Sequence, residues 1–182
     1  MSKKVLLVHG WGGSDSPHWQ SWLASELVKD YGCINFLRFS NFHAPKLDVW
    51  KHELEEALQD FKPDIVICHS LANTLWFHLC NTGTLKTIQK LYLVAPPSMS
   101  CQVKEIKEFF PQKIPKNLFA KEVLLIGSTN DPYMHIEGLQ ELQKGLAVEL
   151  KILENAGHIN ADSGFGEWLW ILEKLKSDLS NS

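Results

Sequence analysis

Ile65-Val66-Ile67-Cys68-His69-Ser70-Leu71-Ala72 is the stretch on which the reading of this chain turns. Its unbroken apolar run, introduced by the turn pair Pro63-Asp64, predicts a strand covered on both faces. Leu75 and Leu79 then recur at helical spacing, so the strand passes almost directly into a helix. Ser70 stands at the junction. A serine on a tight strand-to-helix turn projects its hydroxyl, and such a turn admits only small residues two places to either side, because strand and helix nearly touch there. The usual pattern has glycine at both places, where this chain has Cys68 and Ala72. Taken alone, Ser70 reads equally well as the N-cap of the following helix.

Five further apolar runs flank this one: Val5–Val8, Ile34–Phe39, Leu91–Ala95, Val123–Gly127 and Leu150–Leu153. Between them lie amphipathic stretches at helical spacing. They carry Trp19, Trp22, Leu23 and Leu27; then Leu47, Trp50, Leu54, Leu58 and Phe61; then Leu139, Leu142 and Leu146. A closing stretch carries Trp168, Leu169, Ile171, Leu172, Leu175 and Leu179. Continuously apolar strands joined by helices are the mark of parallel pairing with crossover connections. The expectation is an α/β fold: a three-layer sheet of about six mostly parallel strands. The 182 residues carry no internal repeat or linker, so a single domain over 1–182 is expected. Residues 98–120, with Pro111, Pro115 and a short amphipathic piece (Val103, Ile106, Phe109, Phe110), read as a connection and not as a second domain.

Composition narrows the function classes. Eighteen basic against 21 acidic residues give a net charge of −3, so no global basic field exists to hold nucleic acid or an anionic membrane. Cys33, Cys68, Cys80 and Cys101 are scattered, with no C-x-x-C and no Cys/His spacing for zinc; reduced thiols are expected and no metal site. The run Val5–Val8 is too short for the core of a signal peptide, and no run approaches the ~18 residues that span a bilayer. The chain reads as cytoplasmic.

Ligands of open parallel sheets bind at the carboxyl ends of the strands. His9-Gly10-Trp11-Gly12-Gly13-Ser14 follows the first run, His69-Ser70 the third, Ser128-Thr129-Asn130-Asp131 the fifth, and Asn155-Ala156-Gly157-His158 the sixth. A serine, an aspartate and a histidine thus reach one edge of the sheet, in the chain order Ser70, Asp131, His158 found in α/β-hydrolases. The first loop, with His9, Gly10 and Gly12, has the composition that supplies an oxyanion-binding N–H, here that of Trp11; Leu71, after the nucleophile, would supply the second. Each residue also has a plainer reading. Asp131 is a possible turn residue before Pro132, His158 a loop histidine, and Asp162 a rival acid. His69 is expected to support the site by packing or hydrogen bonding, and His9 to brace its own loop. His18, His43, His52 and His78 are read as surface or helix residues. The glycine loop lacks the spacing and the lysine of nucleotide-binding loops.

These segments resemble the small serine hydrolases similar to retinoblastoma-binding protein 9, in particular the bacterial ones. The resemblance rests on His9-Gly10-Trp11-Gly12-Gly13-Ser14, His18-Trp19-Gln20-x-Trp22, His69-Ser70-Leu71-Ala72, Asn130-Asp131-Pro132-Tyr133 and the block Ala156–Trp168, and it covers essentially the whole chain. It implies a trimmed α/β-hydrolase fold without a cap domain, a triad of Ser70, His158 and Asp131, and esterase-type activity on small esters without a cofactor. Thioester and amide cleavage share the scaffold; a dehalogenase would carry aspartate where Ser70 stands. A different class of reading keeps the fold but makes the protein a binding module for another protein. Too few residues separate the fourth and fifth runs for a substantial lid, so an open cleft for a small acyl substrate is expected. Trp11, Phe109, Phe110 and Phe119 are candidates for its apolar walls; alternatively the phenylalanines anchor the connection to the core.

Overall fold

In a computed structural model, residues 3–30, 33–83 and 85–180 are described. Six strands form one sheet: β1 (Val5–Val8), β2 (Ile34–Leu37), β3 (Ile65–His69), β4 (Ile88–Val94), β5 (Ala120–Ser128) and β6 (Glu149–Leu153). Their order is β2-β1-β3-β4-β5-β6, and every pairing is parallel. The apolar runs therefore mark all six strands. β4 and β5 begin three residues earlier than their apolar runs, because Gln89, Lys90, Lys121 and Glu122 continue the pairing at the amino edge, where side chains reach water.

Side chains alternate across the pleat and divide the core in two. Leu6, Val8, Val66, Cys68, Leu91, Leu93 and Leu125 face one layer, with Trp50 and Leu54 of α2 (Leu47–Phe61), Leu75 and Trp76 of α3 (Leu71–Thr82), and Leu139 and Leu142 of α4 (Ile136–Leu146). Val5, Leu7, Ile65, Ile67, Tyr92, Val94, Leu124 and Ile126 face the other, with Trp19, Leu23 and Leu27 of α1 (Trp19–Asp30) and Ile171, Leu172 and Leu175 of α5 (Leu169–Ser180). Leu169, expected on the apolar face of the last helix, is 61% exposed. It stands at the first position of α5, before the helix meets the sheet.

The chain leaves β1 outward to β2 and returns to place β3 on the other side of β1. The reversal falls at β1 and β3, whose carboxyl ends are the place where open parallel sheets bind ligands. The connection from β4 to β5 contains, among the described residues, only the short 3₁₀ helix Lys104–Phe109. Phe109 is fully buried against Trp50, and Phe110 and Phe119 pack on the same core layer, so these phenylalanines anchor the connection. At the opposite, amino edge, Asp178 of α5 accepts from the Tyr92 hydroxyl, from Lys90 Nζ at 2.9 Å and from Lys174 Nζ at 2.7 Å. No helix among the described residues is long and apolar enough to cross a membrane.

Candidate active site

Ser70 sits between β3 and α3 with φ 55° and ψ −124°, a conformation that costs a non-glycine residue of order 1–3 kcal/mol. It occupies the N-cap position, but its side chain makes no capping bond. The hydroxyl donates instead to His158 Nε2 at 2.8 Å. Neighbouring groups hold this backbone: Asn73 Nδ2 donates to the carbonyls of Ser70 and Val94, each at 2.8 Å, and the Ser70 N–H donates to Val94 at 3.0 Å. Cys68 and Ala72 are fully buried, so small side chains in place of glycines are accommodated by the core layer beneath the turn. Burial raises the Cys68 thiol far above its usual range, which keeps it protonated beside the turn.

The loops after β5 and β6 are bonded into one block. Asn130 Oδ1 accepts from Ser128 Oγ at 2.9 Å and from the Gly157 N–H at 2.7 Å, while Ser128 Oγ accepts the Ala156 N–H at 2.9 Å. From this block Asp131 and His158 project toward each other. His158 Nδ1 donates to Asp131 at 2.8 Å (Oδ2) and 3.0 Å (Oδ1), and Asp131 Oδ1 also accepts the Tyr133 N–H at 2.8 Å. Both side chains are buried. Asp162, the rival acid, is exposed on the rim of the cleft, and both oxygens engaged by the imidazole belong to Asp131.

The β1 loop lies directly on the serine turn. A Cβ at Gly10 would stand 2.7 Å from Ser70 Cβ and 3.1 Å from the Leu71 nitrogen, so only glycine permits this approach. No hydrogen bond among the described residues uses the N–H of Trp11 or Leu71. Trp11 is pinned through its indole N–H to the His43 carbonyl at 3.0 Å, and Gly12 donates its N–H to Phe42 at 2.9 Å. His9 braces the loop as expected: Nδ1 donates to the Gly10 carbonyl at 2.7 Å, and Nε2 accepts the Phe39 N–H at 3.0 Å. His69 Nε2 donates to the His158 carbonyl at 3.1 Å, and Trp19 Nε1 to the Ile159 carbonyl at 2.8 Å, so both support the histidine loop from below.

His18 departs from expectation. It is buried at the cleft, its ring 4.8 Å from that of His69, and its Nδ1 accepts the Gln20 N–H at 3.1 Å. It therefore caps α1 as serine or asparagine would. Burial pushes the imidazole down to about 4, and the neighbouring His158 and His9 push in the same direction. His69 is lowered well below the usual range, first by burial and then by His18 and His158; His9 is lowered, chiefly by burial. His43 and His52 are exposed, and His78 on α3 bonds the Phe109 carbonyl at 3.0 Å.

The cleft over Ser70 has a volume of about 320 Å³ and is walled by Trp11 to Asp15, His18, His69, His158 and Asn160 to Asp162; Phe109, Phe110 and Phe119 do not reach it. No cluster of His, Cys, Asp or Glu among the described residues is arranged to hold a metal ion.

A six-stranded parallel sheet with helices on both faces, a serine at the sharp turn after its third strand and an imidazole and a carboxylate from later loops define an α/β-hydrolase fold. The chain belongs to the serine hydrolase family, whose sequence pattern matches residues 5–177. It is similar to the YdeN protein of Bacillus subtilis, with 25% identity over 99% of this chain and 98% of the relative. A YdeN-like hydrolase structure from Pectobacterium atrosepticum superposes with a TM-score of 0.79 at 27% identity, over 96% of this chain and 89% of that one. The structure of the ydeN gene product of B. subtilis gives a TM-score of 0.85 at 22% identity, over 97% and 98%.

Proposed function

We propose that the protein is a carboxylesterase-type serine hydrolase that cleaves small acyl esters through an acyl-enzyme on Ser70. The observation that carries this reading is the unbroken chain from hydroxyl to imidazole to carboxylate, 2.8 Å at each link, ending on a serine held in a strained backbone. Nothing in simple packing requires that strain.

A serine hydroxyl is a weak nucleophile at neutral pH, so His158 Nε2 takes its proton as the oxygen attacks the acyl carbonyl. Asp131 fixes the tautomer that leaves Nε2 free to accept, and it stabilises the imidazolium that forms. The N–H groups of Leu71 and Trp11 hold the developing oxyanion, and the positive end of α3 adds to the field there. The imidazolium returns its proton to the departing alcohol. Water then attacks the acyl-serine with His158 as base again, releasing the acid and restoring the serine. This chemistry draws on no metal or organic cofactor, and the partner is a small-molecule acyl substrate, not nucleic acid or membrane.

The test is covalent. A fluorophosphonate should label the wild-type protein and p-nitrophenyl acetate should be hydrolysed, whereas Ser70→Ala should lose the label and about 10⁶-fold in turnover, the scale of removing a triad serine. Full labelling of the variant would end the assignment of Ser70. A folded wild-type protein that neither labels nor turns over would favour the binding-module reading.

A further inference from the structure

The wall of the cleft beside the nucleophile holds more hydrogen-bonding capacity than ester hydrolysis needs. Because His18 Nδ1 accepts the Gln20 N–H, the proton of the neutral ring lies on Nε2, and no hydrogen bond among the described residues engages that nitrogen. Asn160 Oδ1 accepts from Ser163 N at 3.0 Å and from Ser163 Oγ at 2.8 Å, which fixes the amide orientation and leaves Nδ2 without a partner among the described residues. Ser14 Oγ, buried in the same wall, has no partner either. Ser14 Oγ is withdrawn from water, a cost that a bound ligand can relieve, whereas the His18 and Asn160 donors stay within reach of water and would exchange it for a ligand oxygen. All three residues line the cleft over Ser70 and His158.

The cleft also shows what it does not favour. Of the residues lining it, only Trp11 and Ala161 carry an apolar side chain, so a long acyl chain has little surface to lie on. No lysine or arginine lines it, and two carboxylates, Asp15 and Asp162, do. Asp15 is paired with Arg38 at 2.5 Å, but no cation pairs with Asp162 among the described residues, so an anionic group there would meet like charge.

We propose that His18 and Asn160 are specificity-determining residues: their Nε2–H and Nδ2–H groups bind an acceptor oxygen that the substrate carries in addition to its scissile ester. The preferred substrates are then short, uncharged esters with a hydroxyl, ether or carbonyl oxygen close to the reacting centre. That oxygen belongs either to the acyl part or to the alcohol part, and the chemistry of recognition is the same. The proposal rests on Ser70 as nucleophile.

The experiment compares matched esters by pH-stat: methyl 3-hydroxybutanoate against methyl butanoate for the acyl side, and 2-hydroxyethyl acetate against ethyl acetate for the alcohol side. The quantity read is the ratio of kcat/KM within each pair, which a general loss of activity does not move. The wild-type protein should favour the oxygenated member of one pair by about tenfold, the scale of one neutral hydrogen bond. His18→Asn keeps an acceptor for the Gln20 N–H but removes Nε2–H, and should bring the ratio to within about twofold of unity. His18→Gln, which restores a donor near Nε2, should recover part of it. Should the His18 variants fail to fold, Asn160→Asp keeps the acceptor for Ser163, replaces the donor with an oxygen, and should lower the same ratio. Equal rates for both members of both pairs in the wild type, or a ratio unmoved in the folded variants, overturns the proposal while leaving the nucleophile assignment intact. A wild type that neither labels with fluorophosphonate nor hydrolyses any ester overturns that assignment, and this proposal with it.

Discussion

Two aspartates, a half-buried one at the amino edge of the sheet and a buried one at the carboxyl edge, anchor hydrogen-bonded clusters of opposite character. At the amino edge Asp178 is surrounded by the Tyr92 hydroxyl and by the ammonium groups of Lys90 and Lys174. Burial pushes its carboxyl up, but the bonds from Lys174, Tyr92 and Lys90 outweigh that and hold it below the usual range. At the carboxyl edge Asp131 meets one imidazole and one backbone N–H, and its cluster runs on to a hydroxyl that opens into a cleft. The first cluster ties α5 to the sheet and ends on an ion pair at the surface, where Lys90 also reaches the exposed Glu122 at 3.1 Å. The second ends on the Ser70 hydroxyl at a cleft, the place where the proposed function puts a substrate. A charged centre is common to both; only the second cluster ends at a cleft.

The contrast breaks most sharply at Asp131. Asp131→Asn should leave the fold intact but lower kcat by about 10⁴-fold, because the amide no longer holds the tautomer that accepts from Ser70. A near-normal rate in a p-nitrophenyl ester assay would move the acid role elsewhere. Gly10→Ala should lower kcat by roughly 10²–10³-fold, since the new Cβ would push the β1 loop, and with it the Trp11 N–H, off the serine turn. Unchanged turnover in that variant would remove the loop from oxyanion binding.

The pH dependence of stability separates the two edges. The His18 ring takes a proton near 6.5 in the unfolded chain but only near 4 in the folded one. Its contribution is therefore complete above pH 6.5 and is lost as pH falls toward 4, to a total of about 3 kcal/mol. The lowered His69 and His9 act with the same sign. Urea unfolding should show stability falling over this window, with a shallower fall in His18→Asn; stability that rose on acidification would contradict the buried neutral ring. Asp178, held below the usual carboxylate range by its partners, does not contribute to this fall. Asp178→Asn is the mildest change: a loss of about 2 kcal/mol of stability by chemical denaturation, with kcat within about twofold of wild type. A large fall in kcat would mean that the two edges are coupled.

The strands and the serine turn were legible because their requirements are local. Buried parallel strands must be continuously apolar, and the turn must be flanked by small residues, so Ile65–Ala72 carries both signals in eight positions. Asp131 and His158 could be placed because each follows such a strand. The hydrogen-bonding wall of the cleft is not legible in the sequence. From sequence His18 reads as a surface or helix residue, since imidazole is not among the favoured N-cap groups and its capping bond to Gln20 exists only once α1 is folded. Asn73, Ser128 and Asn130 fix the site through backbone atoms that are distant in sequence, and no spacing rule reports such bonds. The phenylalanines of 98–120 fit a cleft wall or a core anchor equally well by periodicity, and only packing separates the two.

The lacing of the β5 and β6 loops through Ser128 and Asn130 makes the carboxylate and the imidazole travel as a single piece, joined to the Ser70 hydroxyl by one bond across a gap. Thermal drift of either loop is then felt as a change along one coordinate, the reach from ring to hydroxyl. Substitutions beneath these loops can slide the whole piece and retune that reach without parting the Asp131 carboxylate from the His158 ring.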